Sequence, residues 1–425
     1  MIIAIFALGT QGDVQPYLAL GSALIQQGHT VRLITHTNYQ QQASALGFEV
    51  WPVEGNVQEV AESEEMRKLL QKGNMLEINR YTSRLMEEVV LGWARDSLNA
   101  CEGADLLMAG MGGGSLARAL SEKLNVPFIE AHVVPMTPTR AFPGVLLPAG
   151  GPRLGGTVNL LSHHLVQQVM WQSFRSADQK MRQSVLKLPA APFFGPKPQK
   201  RHPQPPVLYG ISPHVLPRPA DWPSHIHMTG FWFLDAPSWQ PPAELQNFLD
   251  SGPTPIYVGF GSMGNRDPEQ TADLVLEALQ TSGQRAVLLK GWGGMVRGDL
   301  PDFVHLSGSV PHSWLFPRMR AVVHHGGAGT TAAGLGAGVP SQVVPFFGDQ
   351  PFWGNRVQML GVGPAPIPRK NLTAQKLADS IQRMVSDVAM QQKAVTLGQV
   401  IQTENGPMDA VAIIEQHVAE SAQLH

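Results

Sequence analysis

The sequence predicts an α/β protein built from two successive halves, each a parallel sheet flanked by helices. Three observations point there. Short apolar runs alternate with segments of helical period, the alternation breaks off in a proline-rich stretch and then starts afresh, and 425 residues exceed what one ordinary core organises.

In the first half, Ile2–Leu8 reads as a strand, Gly9–Asp13 as a loop and Tyr17–Gln27 as a helix, with Pro16 in its first turn and Gly28 as its C-terminal cap. Thr30–Thr35 is a second strand, Tyr39–Leu46 a helix and Glu49–Val53 a third strand. Val57 to Ala100 is helical in composition. Ala104–Ala109 and Pro127–Val133 resume the strands around a helix at Ser115–Leu124. Prolines cluster between Pro189 and Pro242, the composition of a connection rather than of a core. Beyond it come strands at Ile256–Phe260, Arg285–Lys290, Phe303–Leu306, Ala321–His324 and Ser341–Pro345, helices at Pro268–Gln280 and Thr330–Leu335, and three C-terminal helices. The expected division is 1–212, a linker at 213–242, and 243–425, with the last helix a candidate to pack back on the first half.

Composition removes several function classes. Lys plus Arg is 31 and Asp plus Glu 33, so the chain lacks the basic excess of a nucleic-acid binder. The lone Cys101 cannot form an internal disulfide or build a zinc or iron–sulfur site, which fits a reducing compartment. Met1–Leu8 is too short and lacks the basic flank of a signal peptide, and no apolar run approaches the roughly 18 residues of a membrane span. The expectation is a cytoplasmic protein with at most peripheral membrane contact. Its basic loop Lys197–His202 is either solvated or in touch with anionic lipid. The oligomeric state is not legible.

The candidate chemistry sits at strand ends, where open α/β sheets bind ligands. Val322–Thr331 (VVHHGGAGTT) is an apolar strand followed by two histidines, a glycine-rich turn and two hydroxyl residues opening a helix. Backbone N–H groups and the positive helix end converge there, which suits a phosphate or diphosphate. A tight turn with a threonine N-cap explains the same residues without a ligand. Gly259–Gly264 is a second glycine loop, with the Ser262 hydroxyl able to donate to a phosphate. Gly9–Pro16, including Gln11, Gly12 and Asp13, follows the first strand. It lacks GxGxxG spacing, and Thr35-His36-Thr37 replaces the ribose-binding acid, so a dinucleotide-dependent dehydrogenase is disfavoured. Asp13 is either an N-cap or a general base facing the cleft. His36 is a cleft candidate whose plainer role is a polar strand end. Asp349 and Gln350 could bind neighbouring sugar hydroxyls, with capping by Asp349 as the alternative, while Phe346, Phe347, Phe352 and Trp353 read mainly as core.

Together these loops resemble the family 1 glycosyltransferases of GT-B fold, specifically the sterol and lipid glucosyltransferase branch and the related antibiotic glycosyltransferases. The matching segments are GTQGDVQPYLALGSALIQQGHTV at the start, PMTPTRAFP at Pro135–Pro143, PRPADWPSHIHMTGFWFLD at Pro217–Asp235, GFGSM at Gly259–Met263, VPHSWLFPRMRAVVHHGGAGTTAAGL at Val310–Leu335 and VPFFGDQPFWGNRV at Val344–Val357. The resemblance implies two Rossmann-like domains facing a central cleft and a nucleoside-diphosphate sugar, most often UDP-glucose, as co-substrate with no other cofactor and no metal. It implies that His325, Gly327, Ala328, Gly329 and Thr330 cradle the diphosphate with Ser262, that Val310 and His312 lie along the base and ribose, that Asp349 and Gln350 recognise the sugar, and that Asp13 is the acceptor base of an inverting transfer. Ser309 and Ala333 stand where plant relatives place a tryptophan and a glutamate, which leaves UDP and dTDP both open.

The acceptor is expected to be a small lipophilic alcohol. Gln11, Gly12, His36, Met111, His132 and Met136 are its candidate neighbours, although methionines in this region also suit plain core filling. Other readings are transfer of a dTDP- or UDP-deoxysugar to a secondary metabolite or hydroxy-fatty acyl lipid, a sugar-nucleotide epimerase, and a non-catalytic binding module.

Overall fold

A computed structural model describes residues 1–55, 63, 65, 68–69, 75–147, 155–196, 203–234, 239–260, 268–289 and 300–423, without the side chains of 75, 76, 78, 79 and 268. Ser262 and the basic loop 197–202 lie outside the described residues.

The first half contains β1 (Ile2–Ala7), α1 (Gln11–Gln26), β2 (Thr30–His36), α2 (Gln40–Ala45), β3 (Glu49–Val53), α3 (Met75–Cys101), β4 (Leu106–Ala109), α4 (Gly114–Leu124), β5 (Phe128–His132), α5 (Gly156–Met181), β6 (Val207–Tyr209) and β7 (Ile226–Met228). Its sheet has the order β3-β2-β1-β4-β5-β6-β7, with every pair parallel. The second half runs through α6 (Ala243–Asp250), β8 (Ile256–Gly259), α7 (Pro268–Ser282), β9 (Ala286–Leu289), β10 (Val304–Ser307), α8 (His312–Leu315), β11 (Val322–His324), α9 (Ala328–Gly336), β12 (Ser341–Val343), α10 (Gln350–Leu360), α11 (Ala374–Ser386), α12 (Val388–Gln402) and α13 (Gly406–Ala422). Its sheet, β10-β9-β8-β11-β12, is also parallel throughout. In each sheet the strand order reverses beside the first strand, between β1 and β4 and between β8 and β11. The strand ends at those reversals carry the candidate loops, as the doubly wound topology requires.

Two start sites move. Helix α1 begins at Gln11, not Tyr17, because Thr10 and Asp13 form a capping box: the Asp13 carboxylate accepts from both the Thr10 N–H and the Thr10 hydroxyl, each at 2.9 Å. The expected loop is thus largely the first helical turn, and Pro16 sits inside the helix. Helix α9 begins at Ala328, so its N-cap is Gly327 and not a threonine.

The stretch 213–242 is more than a connection, since β7 inside it completes the first sheet: Ile226, His227 and Met228 pair with Val207, Leu208 and Tyr209. Apolar β-branched and long side chains at Ile226 and Met228 outweigh the neighbouring prolines, which are confined to the turns. Helix α13 packs against α1, where Ala410, Val411 and Ile414 join the core formed by Ile3, Ile5, Leu18 and Leu20. His29 Nε2 and the Glu415 carboxylate meet at 2.9 Å on the same contact. The halves also touch through Phe142 and Phe352, with ring centroids 5.4 Å apart, and through the Arg356 Nε–H donating to the Val215 carbonyl at 3.0 Å. Among the described residues no helix is long and apolar enough to cross a membrane.

Ile414 is fully buried. Ile414→Ala is expected to cost roughly 2–5 kcal/mol through the cavity it leaves, read as an earlier denaturation midpoint of the first half; an unchanged midpoint would show that α13 does not hold α1.

Candidate active site

Each wall of the cleft is made by strand ends. On the first half, β1 leads to Asp13, β4 leads to Met111 and Gly112, and β5 ends at His132. These residues, with Phe6, Leu8, Tyr17, Val133, Val134 and Met136, line a pocket of about 380 Å³, part of it open to solvent. The wall is apolar apart from a carboxylate, an imidazole and a phenol.

Asp13 is at the third position of α1, where its role as a capping partner and its place on the pocket wall coexist. Both Thr10 bonds end on Oδ2, and among the described residues no hydrogen bond engages Oδ1. Burial raises its pKa above the ordinary aspartate value against the lowering effect of the Thr10 bonds. The Tyr17 hydroxyl donates to the Ala131 carbonyl at 2.6 Å, tying α1 to β5 across the pocket floor.

His132 is held by Glu130. Its Nε2 lies 3.1 Å from a Glu130 oxygen, and Arg118 binds the other oxygen of that carboxylate. Burial works to raise the Glu130 pKa, but the His132 bond and the charges of His132 and Arg118 outweigh it and hold the carboxylate down to about 2. Among the described residues His132 Nδ1 is buried with no hydrogen-bond partner.

The other acceptor candidates separate. Met111 and Met136 line the pocket with Asp13. Gln11 and Gly12 are exposed on the first turn of α1 and do not line it. His36 is 1% exposed and packs against Trp93, ring centroids 5.5 Å apart, on the sheet face whose core also holds Phe6 and Leu8. It is not among the residues that line the pocket with Asp13.

On the second half, β11 ends at His324, and Gly326 turns the chain with a φ of +94°. A Cβ at Gly326 would lie 2.5 Å from a Val343 methyl and 3.0 Å from the Gln350 carbonyl, so the turn tolerates only glycine. His324 Nδ1 accepts the Gly326 N–H at 3.1 Å and so shapes the turn, a role sequence reasoning missed when it singled out only the second histidine. Gly327 caps α9, while Ala328, Gly329 and Thr330 form its first turn, whose N–H groups have no partner within the helix. The His325 ring lies over Gly327, where an added Cβ would come within 2.5 Å of Nε2, and its Nδ1 is buried without a partner among the described residues. Burial lowers the His325 pKa to about 4. Burial and, secondarily, His325 lower that of His312 to about 4, and burial first, then His325 and His312, hold that of His324 well below the ordinary imidazole value. Three neutral imidazoles therefore gather at the end of β11 near pH 7. His312 stacks on Phe316 at 4.4 Å, and Val310 is packed with Tyr257, Leu315 and Phe316, leaving mainly its backbone to meet a ligand.

Beyond β12, Asp349 precedes α10 without capping it through its side chain. Its Oδ2 accepts the Trp353 Nε1–H at 2.7 Å instead. Trp353, one helical turn further on, is buried in the core as the sequence reading has it, and from there its indole N–H holds Asp349. Gln350 Oε1 accepts the Phe346 and Phe347 N–H groups at 2.8 and 3.2 Å, fixing the loop. Burial raises the Asp349 pKa to about 6 against the Trp353 bond, and the charge of Asp13 adds to the rise. The two carboxyls thus feel one another across the cleft, and α1 itself touches α9.

Sterol 3-beta-glucosyltransferases of Arabidopsis thaliana are 37% and 38% identical to the chain, over 100% and 99% of it and 66% and 69% of their own lengths. The chain belongs to the sterol 3-beta-glucosyltransferase family. It spans about two thirds of these plant relatives and 35% of a 34% identical Komagataella phaffii member. The patterns of the glycosyltransferase family 28 N-terminal domain and of the erythromycin biosynthesis protein CIII-like C-terminal domain match residues 3–143 and 289–416. The kitacinnamycin glycosyltransferase and VinC, the latter crystallised with dTDP, share its GT-B fold at TM-scores of 0.68 and 0.66, each 17% identical, covering 98% of both chains and 100% of both chains respectively.

Because folding raises the Asp349 pKa from 3.8 to about 6, the folded protein binds that proton more tightly. The resulting penalty is full above the folded pKa and fades as pH falls through it towards the unfolded value. Between pH 7 and pH 5 the wild-type Tm should therefore rise relative to that of Asp349→Asn, whereas parallel profiles would show a solvated carboxylate.

Proposed function

We propose that the chain is an inverting, metal-independent glucosyltransferase that moves glucose from UDP-glucose to the hydroxyl of a sterol or similar lipophilic alcohol. The observation that carries this reading is the position of Asp13: on the wall of an apolar pocket, on a helix that touches the helix of the glycine turn, and in electrostatic reach of Asp349.

The donor lies along the second half. The diphosphate meets the N–H groups of Gly327–Thr330, the positive end of α9 and His325. Neutral imidazoles suit this task, since they donate a directed hydrogen bond without a permanent charge that would hold the product. The segment from Val310 to His312 carries the nucleoside. Asp349 accepts from a sugar hydroxyl; Gln350, whose carbonyl oxygen holds the loop, contributes through its amide N–H groups. Fixed N–H dipoles take the place of a divalent cation at the leaving group.

The acceptor enters the pocket with its ring system against Phe6, Leu8, Met111, Val134 and Met136. Its hydroxyl lies between Asp13 and His132. The Asp13 carboxylate takes the hydroxyl proton as the oxygen bonds to the anomeric carbon and the bond from that carbon to the diphosphate oxygen breaks, releasing UDP with inversion. A raised pKa makes this carboxylate a stronger base. His132, fixed by Glu130, orients the hydroxyl. Such alcohols reside in bilayers, so the enzyme works at a lipid surface.

Asp13→Asn keeps a hydrogen-bonding group beside Thr10 but removes the base. Turnover should fall by at least about 10²-fold while UDP affinity stays near wild type. Steady-state kinetics showing near-normal turnover would remove Asp13 from the mechanism.

A further inference from the structure

Helix α10 belongs to the second half by sequence, yet one of its faces rests on the first. The Phe352 ring meets that of Phe142 at a centroid distance of 5.4 Å. One turn further on, the Arg356 Nε–H donates to the Val215 carbonyl at 3.0 Å, and a second guanidinium N–H reaches the same oxygen. A spacing of four residues puts Phe352 and Arg356 on one side of the helix. Another side is closed against its own half: a Cβ at Gly354 would lie 2.8 Å from Pro366 and 3.1 Å from a Val343 methyl. An 11-residue helix gripped by both halves has little room to shift.

The place of this helix matters because of what it starts with. Asp349 stands just before α10, and Gln350 is its first residue. The Asp349 carboxylate accepts the Trp353 Nε1–H at 2.7 Å, and the Trp353 ring meets Phe352 edge to face at 5.2 Å. Direct contacts thus run from Phe142 of the first half through Phe352 and Trp353 to the acid.

Phe142 can bear on α10 because its own loop is pinned, although the loop has no regular structure to stiffen it. The Tyr209 hydroxyl on β6 accepts the Met136 and Thr137 N–H groups at 3.1 and 2.8 Å. The Asp221 carboxylate accepts the Thr139 hydroxyl at 2.6 Å and the Arg140 N–H at 2.7 Å. From α5, the His163 Nε2–H donates to the Phe142 carbonyl at 3.0 Å. Pro135, Pro138 and Pro143 restrict the backbone further. The same loop begins at the acceptor pocket, which Val134 and Met136 line together with Asp13.

We propose that Phe142 and Arg356 are positioning residues for the donor sugar: they hold α10 against the first half, where Asp349 and Gln350 meet the sugar hydroxyls. The half that carries the acceptor pocket then also sets sugar selectivity. Neither residue acts on the substrate itself. The inference rests on the reading of Asp349 and Gln350 as the sugar-binding pair. Because Met136 and Phe142 share one pinned loop, the acceptor wall and the sugar helix share one support, which keeps the attacking hydroxyl and the anomeric carbon in register.

Adjacency does not establish coupling, so the test is a double-mutant cycle on the full chain with Phe142→Ala and Asp349→Asn. Its readouts are kcat/KM for UDP-glucose, the preference for UDP-glucose over its 4-epimer UDP-galactose, and UDP affinity by calorimetry. Asp349→Asn should lower kcat/KM and narrow the preference. Phe142→Ala should lower kcat/KM on the order of tenfold and narrow the preference in the same way, with the Kd for UDP within about twofold of wild type. In the Asp349→Asn background Phe142→Ala should change little further, and Phe142→Leu, which keeps most of the apolar volume, should recover most of the loss. Arg356→Gln loosens the same helix face while leaving the loop intact, and it supplies a second cycle with the same expected pattern should Phe142→Ala fold poorly. Penalties that simply add, a UDP affinity that falls in step with kcat/KM, or wild-type kinetics and selectivity in both Phe142→Ala and Arg356→Gln would each overturn the proposal. Wild-type kcat/KM and sugar preference in Asp349→Asn would instead refute the sugar-binding reading, and the inference with it.

Discussion

The cleft depends on α1 being held between the two halves. One face of this helix is buried on β1 and β2, another is covered by α13 from the far end of the chain, and its first turn approaches α9. Apolar burial supplies the hold, through Leu18, Leu20 and Leu24 on α1 and Val411 and Ile414 on α13. Close approach is part of it: a Cβ at Gly21 would fall 2.3 Å from the Phe48 ring, so the helix meets the connection between α2 and β3 nearly backbone to ring. Because the same helix carries Asp13 at its start, packing far from the cleft fixes where the carboxylate points. The capping box with Thr10 fixes the last degree of freedom, taking one carboxylate oxygen and sparing the other.

Desolvation then sets the chemical character of the site. Asp13 and Asp349 are both shifted upward, chiefly by burial, and each belongs to a different half. On the same rim His312, His324 and His325 are shifted downward by burial and are neutral. A rim of neutral donors and helix N–H groups facing raised carboxyls has the electrostatic pattern of a site awaiting an anion on one side and a proton donor on the other. Glu130 behaves oppositely because it is paired: Arg118 and His132 keep it ionised, and it serves as an anchor for His132 rather than as a base.

Much of this was legible in the sequence, for physical reasons that also mark where legibility ends. Short apolar runs located the parallel strands, since strands buried on both faces read as continuous apolar segments. Glycine turns at strand ends located the rims, because Gly326 must adopt positive φ and stay clear of Val343. Helix starts were misplaced by a few residues: at Asp13 and at Gly327 the capping interactions come from residues that equally well read as loop. His36 looked like a cleft residue because strand ends face clefts, but its ring turns to Trp93 instead. β7 was hidden among prolines, as its three residues acquire strand character only from pairing with β6. Helix α5 carried no clear signal for a reason that is itself informative: apolar side chains on both its faces blur the amphipathic period by which a surface helix is recognised.

A donor rim on one half and an acceptor pocket on the other meet at the proposed grip of the turn led by His325 on a diphosphate opposite Asp13. Calorimetric titration of UDP into wild type and His325→Ala tests that claim most directly. Loss of a hydrogen bond to a charged group should weaken the Kd for UDP by about tenfold or more. Equal affinities in the two proteins would place the diphosphate elsewhere and contradict the account.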